Sequence, residues 1–347
     1  MTVGDRTDAS AERSLEDRLA AYLSEQLPSA EDIRVVDLAR IFGGASRETY
    51  RFVLTYREEG ETRSRRLILR RDPPGSLIET ERAVEFGAYR AFHGTPVPVP
   101  EALWLEEDPK WLDYPFFIME EIVGMQSNAR FASQHAKKLA PQKWTILGEI
   151  AKVDPAAVGI DAVMEAVGPD ECWKRELGYW EKQIDRNELC PQPIARAAIR
   201  WLRRNPPLPA QRVGVVHADY RTGNFLFDEH GVIRAILDWE MAHLGDPLED
   251  LAWGLNPVWR SADGRVGGIA SREEAIGIWE KASGLRADPH SLRWWELFSS
   301  VKGQAIWVSS AKEFTDGKNQ DLILAVAAWL MGNRQDCAIL SELGYAS

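Results

Sequence analysis

The sequence predicts an α+β protein of two lobes: a small antiparallel β lobe with one helix, then a larger, mostly helical lobe. Residues 33–71 have the composition and turn spacing of strands, whereas apolar residues recur with the helical period after residue 124. One short pair of apolar strands, 225–227 and 233–237, interrupts the helical part. The predicted ranges are a polar segment with one helix over 1–29, the N-lobe over 30–121 and the C-lobe over 122–347.

The first helix is predicted over Ser14–Leu27. Its leucines and Tyr22 form one stripe at helical spacing, Ser14 is a suitable N-cap, and Pro28 ends the pattern. The strands that follow are separated by Gly43-Gly44, the turn at Glu59-Gly60, a helix and a rigid proline run. We expect strands at 34–42, 48–55, 65–71, 101–106 and 116–121, with the helix at 77–93.

The second lobe begins after Gly124. Helices are expected over 129–152, 170–188 and 193–204, strands over 213–216, 225–227 and 233–237, and a mostly helical, Trp-rich segment over 240–347.

Composition and charge exclude several classes. The chain has 347 residues, 45% of them hydrophobic, and a net charge of −11, which disfavours disorder and a non-specific nucleic-acid binder. Its three cysteines lack any zinc-like spacing. No apolar run reaches the length that spans a bilayer, and the polar first residues do not form a signal peptide. We therefore expect a cytoplasmic protein with neither a nucleic-acid nor a membrane partner.

The most informative stretch is 215–253, VVHADYRTGNFLFDEHGVIRAILDWEMAHLGDPLEDLAW. Asp219 and Asn224 share one polar loop, and the hairpin after it returns the chain so that Asp238 ends near that loop. Two carboxylates and an amide oxygen are hard ligands suited to Mg²⁺. One carboxylate is then available to accept a proton from an attacking hydroxyl. This division of roles is typical of phosphoryl transfer.

Motifs in this order resemble the aminoglycoside phosphotransferase-like family, small-molecule kinases with the protein-kinase fold. The similarity covers about residues 30–255 and is strongest to the branch associated with acyl-CoA dehydrogenases, in which some members phosphorylate hydroxyacyl-CoA. The resembling segments are GGASRETYRF (43–52), LILRRDPPG (67–75), VEFGAYRAF (84–92), TPVPVP (95–100), PFFIMEEIVG (115–124), VVHADYRTGNFLF (215–227) and AILDWEMAHLGDPLEDLAW (235–253).

The resemblance implies a role for each matching residue. Asp219 would be the catalytic base, Asn224 and Asp238 the Mg²⁺ ligands, and His217 a structural member of the loop. ATP would bind between the lobes. Its phosphates would lie under the segment 43–49, and its adenine against the hinge 119–122. The nucleotide-binding residues implied are Gly43, Gly44, Ser46, Arg70, Glu85, Glu120 and Ile122.

The chain departs from the family at one position. The strand that usually carries a phosphate-binding lysine has Arg70, followed by Arg71. An arginine keeps the charge and can grip phosphate in two places. Which arginine pairs with a carboxylate stays open, as does the choice of that carboxylate: Glu85 matches the family, and Glu81 is the alternative.

Each of these residues also has an ordinary structural explanation. The three loop residues could cap a turn, Gly43-Gly44 could be a plain hairpin turn, and Arg70 or Glu85 could be solvated. Asp246 and Asp250 resemble acids that brace the loop, although Asp246 could simply cap a helix. Further candidates to contact the acceptor are Tyr220, Arg221 and Glu240.

The acceptor is expected to be a small molecule with a hydroxyl group. Residues 261–347 carry 11 Asp+Glu and 9 Lys+Arg, which disfavours a polycationic aminoglycoside and favours an amphipathic alcohol, such as a hydroxyacyl thioester. For a phosphate-bearing acceptor, the basic candidates would be Arg130, Lys137, Lys138 and Lys143.

The predicted activity is Mg-ATP-dependent transfer of the γ-phosphoryl group to this hydroxyl. A protein kinase is disfavoured, because the residues after Asp238 read Trp-Glu and no activation-loop boundary follows. The alternative from another class is a nucleotide-binding pseudokinase that serves as an interaction module. Arg70 is its best support.

Overall fold

The computed structural model describes residues 14–41, 48–72, 82–123, 129–319 and 321–345, and in 129–131 the backbone alone. Two compact units make up the chain. The smaller unit comprises 1–73 and 103–121, and the larger unit 74–102 and 122–347. The predicted N-lobe range thus includes a segment, 74–102, that belongs to the larger unit.

The smaller unit is built on a five-stranded sheet. Strand order is β1-β2-β3-β5-β4, and the pairs β1–β2, β2–β3 and β3–β5 are antiparallel. The β2–β3 hairpin pairs residue for residue from Glu58↔Glu61 to Glu48↔Arg71, which aligns Arg70 with Thr49. The strands are β1 Glu31–Ile41, β2 Glu48–Glu58, β3 Glu61–Arg71, β4 Ala102–Glu106 and β5 Phe116–Glu120.

Helix α1 (Leu15–Gln26) closes the core of the smaller unit. Ser14 caps it by accepting a hydrogen bond from the Asp17 amide, as predicted. Its apolar stripe packs on the sheet, where the Tyr22 ring meets the Phe116 ring edge-on at 4.9 Å. Each fully buried side chain of this size contributes about 1.5–3 kcal/mol, so the helix is part of the fold of this unit.

The larger unit consists mainly of helices. Among its described residues the strands are β6 Gly214–Val216, β7 Phe225–Phe227, β8 Ile233–Ile236 and β9 His243–Gly245, paired as β6–β9 and β7–β8. Its helices are α2 Arg82–Phe92, α3 Ala129–Gln134, α4 Ala136–Lys152, α5 Cys172–Asn187, α6 Pro193–Arg204, α7 Leu248–Leu255, α8 Arg272–Ser283, α9 Pro289–Thr315 and α10 Leu322–Glu342.

Helix α9 forms the centre of the larger unit. It contacts α5, α6, α7 and α10 and buries residues all around its axis, as a helix enclosed by others must. Asp288 caps its start by accepting a hydrogen bond from the Ser291 amide. Lys302 lies among its fully buried residues.

Two predictions for this unit need correction. The single helix over 129–152 is two helices, because at His135 the hydrogen bonds shift to the i→i−3 pattern and the ring turns to meet Phe227. Strand β9 was missed because three residues are too short to show a period, and its partner β6 is about 29 positions away in sequence.

Within the described ranges, none of the helices has both the length and the apolar character needed to traverse a bilayer.

Candidate active site

The loop after β6 and the end of hairpin β7–β8 meet at one place in the larger unit. The Leu237 amide donates to the Asn224 carbonyl oxygen at 2.8 Å. His217 Nε2 lies 3.0 Å from the Leu237 carbonyl oxygen. These two contacts hold the residue before Asp238 against the loop that carries Asp219 and Asn224. The predicted return of the chain to this loop therefore has a direct backbone cause.

Three side chains donate hydrogen bonds to the Asp219 carboxylate. Trp253 Nε1 donates to Oδ1 at 2.9 Å. Arg221 Nε and Asn224 Nδ2 both donate to Oδ2, at 3.2 and 2.6 Å. The Asp219 side chain is 17% exposed, so it remains reachable from solvent. A carboxylate held from both sides is fixed in one orientation, which is a requirement for a general base.

The amide group of Asn224 fits a magnesium ligand. Its Nδ2 donates both to Oδ2 of Asp219 and to the Asp219 carbonyl oxygen, at 2.6 and 3.0 Å. Both amide hydrogens are thus directed at Asp219, which leaves the amide oxygen as the atom that can bind a cation. With the Asp238 carboxylate this gives the oxygen donors that Mg²⁺ prefers.

Asp238 adopts a left-handed backbone conformation, with φ 69° and ψ 54°. Aspartate tolerates this region better than most residues. The Tyr89 hydroxyl of helix α2 accepts a hydrogen bond from its amide at 3.0 Å. A tyrosine far away in sequence thereby fixes the turn that re-aims the chain after β8.

The Arg221 guanidinium interacts electrostatically with both Asp219 and Asp238. The negative charge of Asp219 has the largest effect and raises the pKa of the Arg221 guanidinium. Burial lowers this pKa, and the charge of Asp238 raises it by a smaller amount. The guanidinium also lies 5.4 Å from the centre of the Trp259 ring. The side chain of Arg221 is 33% exposed.

The backbone of Ala218, next to Asp219, is held on both sides. Ala218 has φ 68°, which is costly for an alanine. Its amide donates to Asp250 Oδ1 at 2.8 Å, and its carbonyl oxygen accepts from Lys302 Nζ at 2.7 Å. Asp250 Oδ2 also accepts from the His217 amide at 2.7 Å. Asp250 therefore braces the loop, and His217, fully buried, acts as scaffold.

Behind this loop lies a buried cluster of acids and cations. Lys302 Nζ is 2.9 Å from Glu249 Oε1, and His243 Nε2 is 3.1 Å from Glu249 Oε2 and 3.5 Å from Glu176 Oε1. Burial disfavours the charged forms, but the opposite charges outweigh it: the pKa of Glu249 falls to about 2 and that of His243 rises to about 9. His243 and the two glutamates are close enough to share a metal ion. The protonated imidazole and Lys302 already balance the two carboxylates.

Lys143 of α4 is a second fully buried lysine. Its Nζ lies 3.3 Å from Thr222 Oγ1 and 4.7 Å from the centre of the Trp144 ring. Burial, and then the charge of Arg221, lower the pKa of Lys143 to about 7. Lys143 was one of the basic residues predicted to contact a phosphate-bearing acceptor. That prediction is wrong, because Lys143 is fully buried under the loop and does not reach the surface.

The structure describes only some of the residues that were predicted to bind the nucleotide. Gly43, Gly44, Ser46 and Glu81 lie outside the described residues. Arg71 pairs with Glu48 at 2.6 Å and donates to the Leu112 carbonyl oxygen, whereas Arg70 lies 6.0 Å from the centre of the Phe117 ring. Glu85 is fully buried, so the solvated alternative for it is wrong. Glu120 is exposed at the end of β5, and Ile122 is half-buried beyond it.

Of the acceptor candidates, Tyr220 is withdrawn into the core. It is 2% exposed, and its hydroxyl donates to the Lys143 carbonyl oxygen at 2.6 Å. Its neighbour Arg221, which is partly exposed, can reach a ligand. Glu240 lines a cavity of about 340 Å³ within the larger unit, together with Ala218, Tyr179, Trp180, Met241 and His243.

Sequence reasoning missed Trp253 and Lys302 as parts of the site, and it proposed Lys143 only as a basic contact for a phosphate-bearing acceptor. Lys302 had a signal, since it is the one charged residue in the small and apolar run 297–311 (LFSSVKGQAIWVSSA). Trp253 could only have been read as core, and Lys143 as a helix-surface lysine.

A loop that holds Asp219 and Asn224, followed by a hairpin that ends at Asp238, is the arrangement expected of the class of small-molecule phosphotransferases. The comparisons agree with that class. The model of the phosphotransferase enzyme family, abbreviated APH, matches residues 37–295, about three quarters of the chain. The chain belongs to this family.

Mouse acyl-CoA dehydrogenase family member 10 is 30% identical over 251 residues, which is 69% of this chain. The chain spans 22% of that relative and 37% of acyl-CoA dehydrogenase family member 11 from Pongo abelii, so it covers only part of the curated relatives it matches.

Solved structures show the fold. A Ralstonia eutropha protein solved as a candidate aminoglycoside phosphotransferase superposes with a TM-score of 0.71 at 23% identity, over 95% of this chain and 98% of that one. Aminoglycoside phosphotransferase APH(4)-Ia, in a ternary complex with ADP and hygromycin B, gives 0.60 at 18% identity, over 95% and 99%. The chain thus has the α+β, two-lobed fold of kinase-like phosphotransferases, as predicted.

Proposed function

We propose that this chain transfers the γ-phosphoryl group of ATP to a hydroxyl group of a small molecule. The observation that carries the proposal is the junction at which the Leu237 amide bonds to the Asn224 carbonyl oxygen and Asn224 bonds to Asp219. That junction supports a base and two magnesium ligands acting on one phosphoryl group.

In the proposed reaction the acceptor oxygen forms a bond to the γ-phosphorus while the bond from that phosphorus to the leaving oxygen of ADP breaks. Asp219 aligns the hydroxyl and receives its proton. Asn224 and Asp238 would hold Mg²⁺, which neutralises charge on the phosphates when it is bound. The structure of APH(4)-Ia with ADP supports a nucleotide as the donor. We assign the positive charge for phosphate to Arg70, because it occupies the strand position at which most such kinases carry a phosphate-binding lysine.

The cavity supports an acceptor without a large net charge. Three carboxylates and three cationic side chains line it, so their charges balance, and apolar and aromatic side chains form much of the remaining wall. A polycationic aminoglycoside needs a surplus of carboxylates, whereas an amphipathic alcohol needs mostly apolar walls. The cavity also adjoins Ala218, the neighbour of Asp219. A hydroxyacyl thioester is one member of this acceptor class.

The test is ADP formation from Mg-ATP with a panel of hydroxylated acceptors, for the parent and for D219A and D238A. Both variants should lose turnover by at least a hundredfold. In calorimetry D238A should lose magnesium-dependent affinity for ATP, whereas D219A should keep it. Asp170→Ala, an exposed aspartate of the same unit, is the control. ATP binding without turnover on any acceptor would favour the interaction module, and the reverse order of the two affinities would overturn the roles assigned here.

A further inference from the structure

Asp219, Trp253, Trp259 and Arg221 form a closed ring of contacts around the proposed base. Trp253 Nε1 donates to Asp219 Oδ1 at 2.9 Å, and the Trp253 and Trp259 rings meet edge-on, 5.6 Å apart. The Arg221 guanidinium lies 5.4 Å from the centre of Trp259, and its Nε returns to Asp219 Oδ2 at 3.2 Å. Each member thus contacts the next, and the last contacts the first.

The ring leaves the two oxygens of Asp219 unequal. A carboxylate oxygen offers about two acceptor positions. Oδ2 already accepts from Arg221 Nε and Asn224 Nδ2, so both of its positions are filled. Oδ1 accepts from Trp253. Among the hydrogen bonds of the described residues, one position on Oδ1 remains, beside the indole of Trp253.

We propose that this ring reserves the remaining position on Asp219 Oδ1 for the acceptor hydroxyl, and that Trp253, Trp259 and Arg221 are positioning residues for the base. The inference rests on the proposed function. The acceptor oxygen then approaches Oδ1 beside the Trp253 indole N–H. Trp259 acts indirectly, because its ring holds the guanidinium that fills Oδ2.

Gly223 also helps to position the Arg221 guanidinium. A Cβ added at Gly223 would lie 2.2 Å from Arg221 Nη1, closer than atoms can approach. The glycine therefore leaves room for the guanidinium in the position from which it reaches Asp219. Gly223→Ala moves the guanidinium without changing its charge, and it should reproduce the effect of removing it.

The experiment measures ADP release from Mg-ATP with water as the acceptor, and with any alcohol the parent phosphorylates. Trp253→Phe removes the N–H donor but keeps a ring, and should lower kcat about tenfold while the Kd for Mg-ATP and the melting temperature stay close to those of the parent. Trp259→Leu should lower kcat about tenfold, and Trp259→Phe, which keeps an aromatic face for the cation, should stay within about twofold.

The decisive comparison is a double-mutant cycle. If Trp259 acts only through Arg221, Trp259→Leu adds almost nothing to Arg221→Met, and Gly223→Ala adds almost nothing either. Independent effects would instead multiply. Multiplying effects, equal rates for Trp259→Leu and Trp259→Phe, or an unchanged kcat in Trp253→Phe would each overturn the proposal. A parent that binds Mg-ATP and forms no ADP with any acceptor contradicts the proposed function itself, and with it the reserved position.

Discussion

Replacing the buried Lys143 with methionine should make the protein more stable near neutral pH. Methionine fills similar space without a charge, and Thr222 keeps its hydrogen bond to the Gly267 carbonyl oxygen at 2.6 Å, so no buried hydroxyl is orphaned. Burial lowers the pKa of Lys143 from 10.5 to about 7. Between about pH 7 and pH 10.5 the unfolded chain therefore holds a proton that the folded chain lacks, and this favours unfolding as the pH falls.

The size of the effect follows from that pKa difference. Each pKa unit corresponds to about 1.4 kcal/mol, so the destabilisation grows as the pH falls from 10.5 and levels off below pH 7 at about 5 kcal/mol. As the pH is lowered from 9.5 to 7, the free energy of unfolding of Lys143→Met should increase relative to that of the parent by about 3 kcal/mol. His243, with its raised pKa, has the opposite slope between pH 6.5 and about 9, and it cancels when the two proteins are subtracted.

The assay is urea unfolding at pH 7 and pH 9.5, followed by tryptophan fluorescence. Trp104 and Trp111 lie in the smaller unit and the other twelve tryptophans in the larger unit, so the signal reports mainly on the unit that contains Lys143. Lys137→Met, an exposed lysine of the same helix, is the control and should differ from the parent equally at both pH values. A difference for Lys143→Met that does not change with pH would refute the reasoning.

Three further predictions concern the larger unit. Glu249→Gln removes the carboxylate that pairs with the buried Lys302 and should lower the free energy of unfolding by about 3–5 kcal/mol, whereas Glu149→Gln, which breaks a more exposed pair with Lys152, should cost less than about 1 kcal/mol in the same urea titration. Gly148→Ala places a Cβ 2.4 Å from Ala282 Cβ and should cost about 1–3 kcal/mol of folding stability by forcing α4 away from α8. Gly178→Ala, whose added Cβ has no neighbour within 4 Å, should instead stabilise the fold by up to about 1 kcal/mol. Thermal melting that ranks the two variants the other way contradicts the packing argument. His243 contributes its full stabilisation below pH 6.5 and loses it as the pH rises through about 9, so the stability difference between the parent and His243→Gln should shrink over that window, and a constant difference would show that the imidazole is neutral throughout.

The architecture was predictable because local signals agreed. Ser14 and Pro28 bound the first helix, and Pro193 and the prolines after Asn205 bound α6, so both helices agree with the expected ranges. The β2–β3 hairpin followed from strand composition and the turn at Glu59-Gly60. The break at His135 could not be predicted, because it depends on packing against Phe227, which is distant in sequence.

The position of the candidate loop, residues 217–224, was predictable for a different reason. Asp219, Asn224 and Asp238 lie in a fixed order with strands between them, and a hairpin of known length brings the last back to the first two. The side chains that hold the loop were not predictable. Trp253, Lys302 and Lys143 come from three helices, and only their packing shows that they contact the loop through an indole N–H, an ammonium and a carbonyl oxygen.

The interleaving of the two units in the sequence constrains how the protein can be made and divided. The chain passes from one unit to the other at 73–74, 102–103 and 121–122. No single cut, by a protease or by a split gene, can release either unit whole. On the ribosome, the smaller unit is complete once residue 121 has emerged, whereas α2 leaves the exit tunnel before every other helix of the larger unit and has to wait for them.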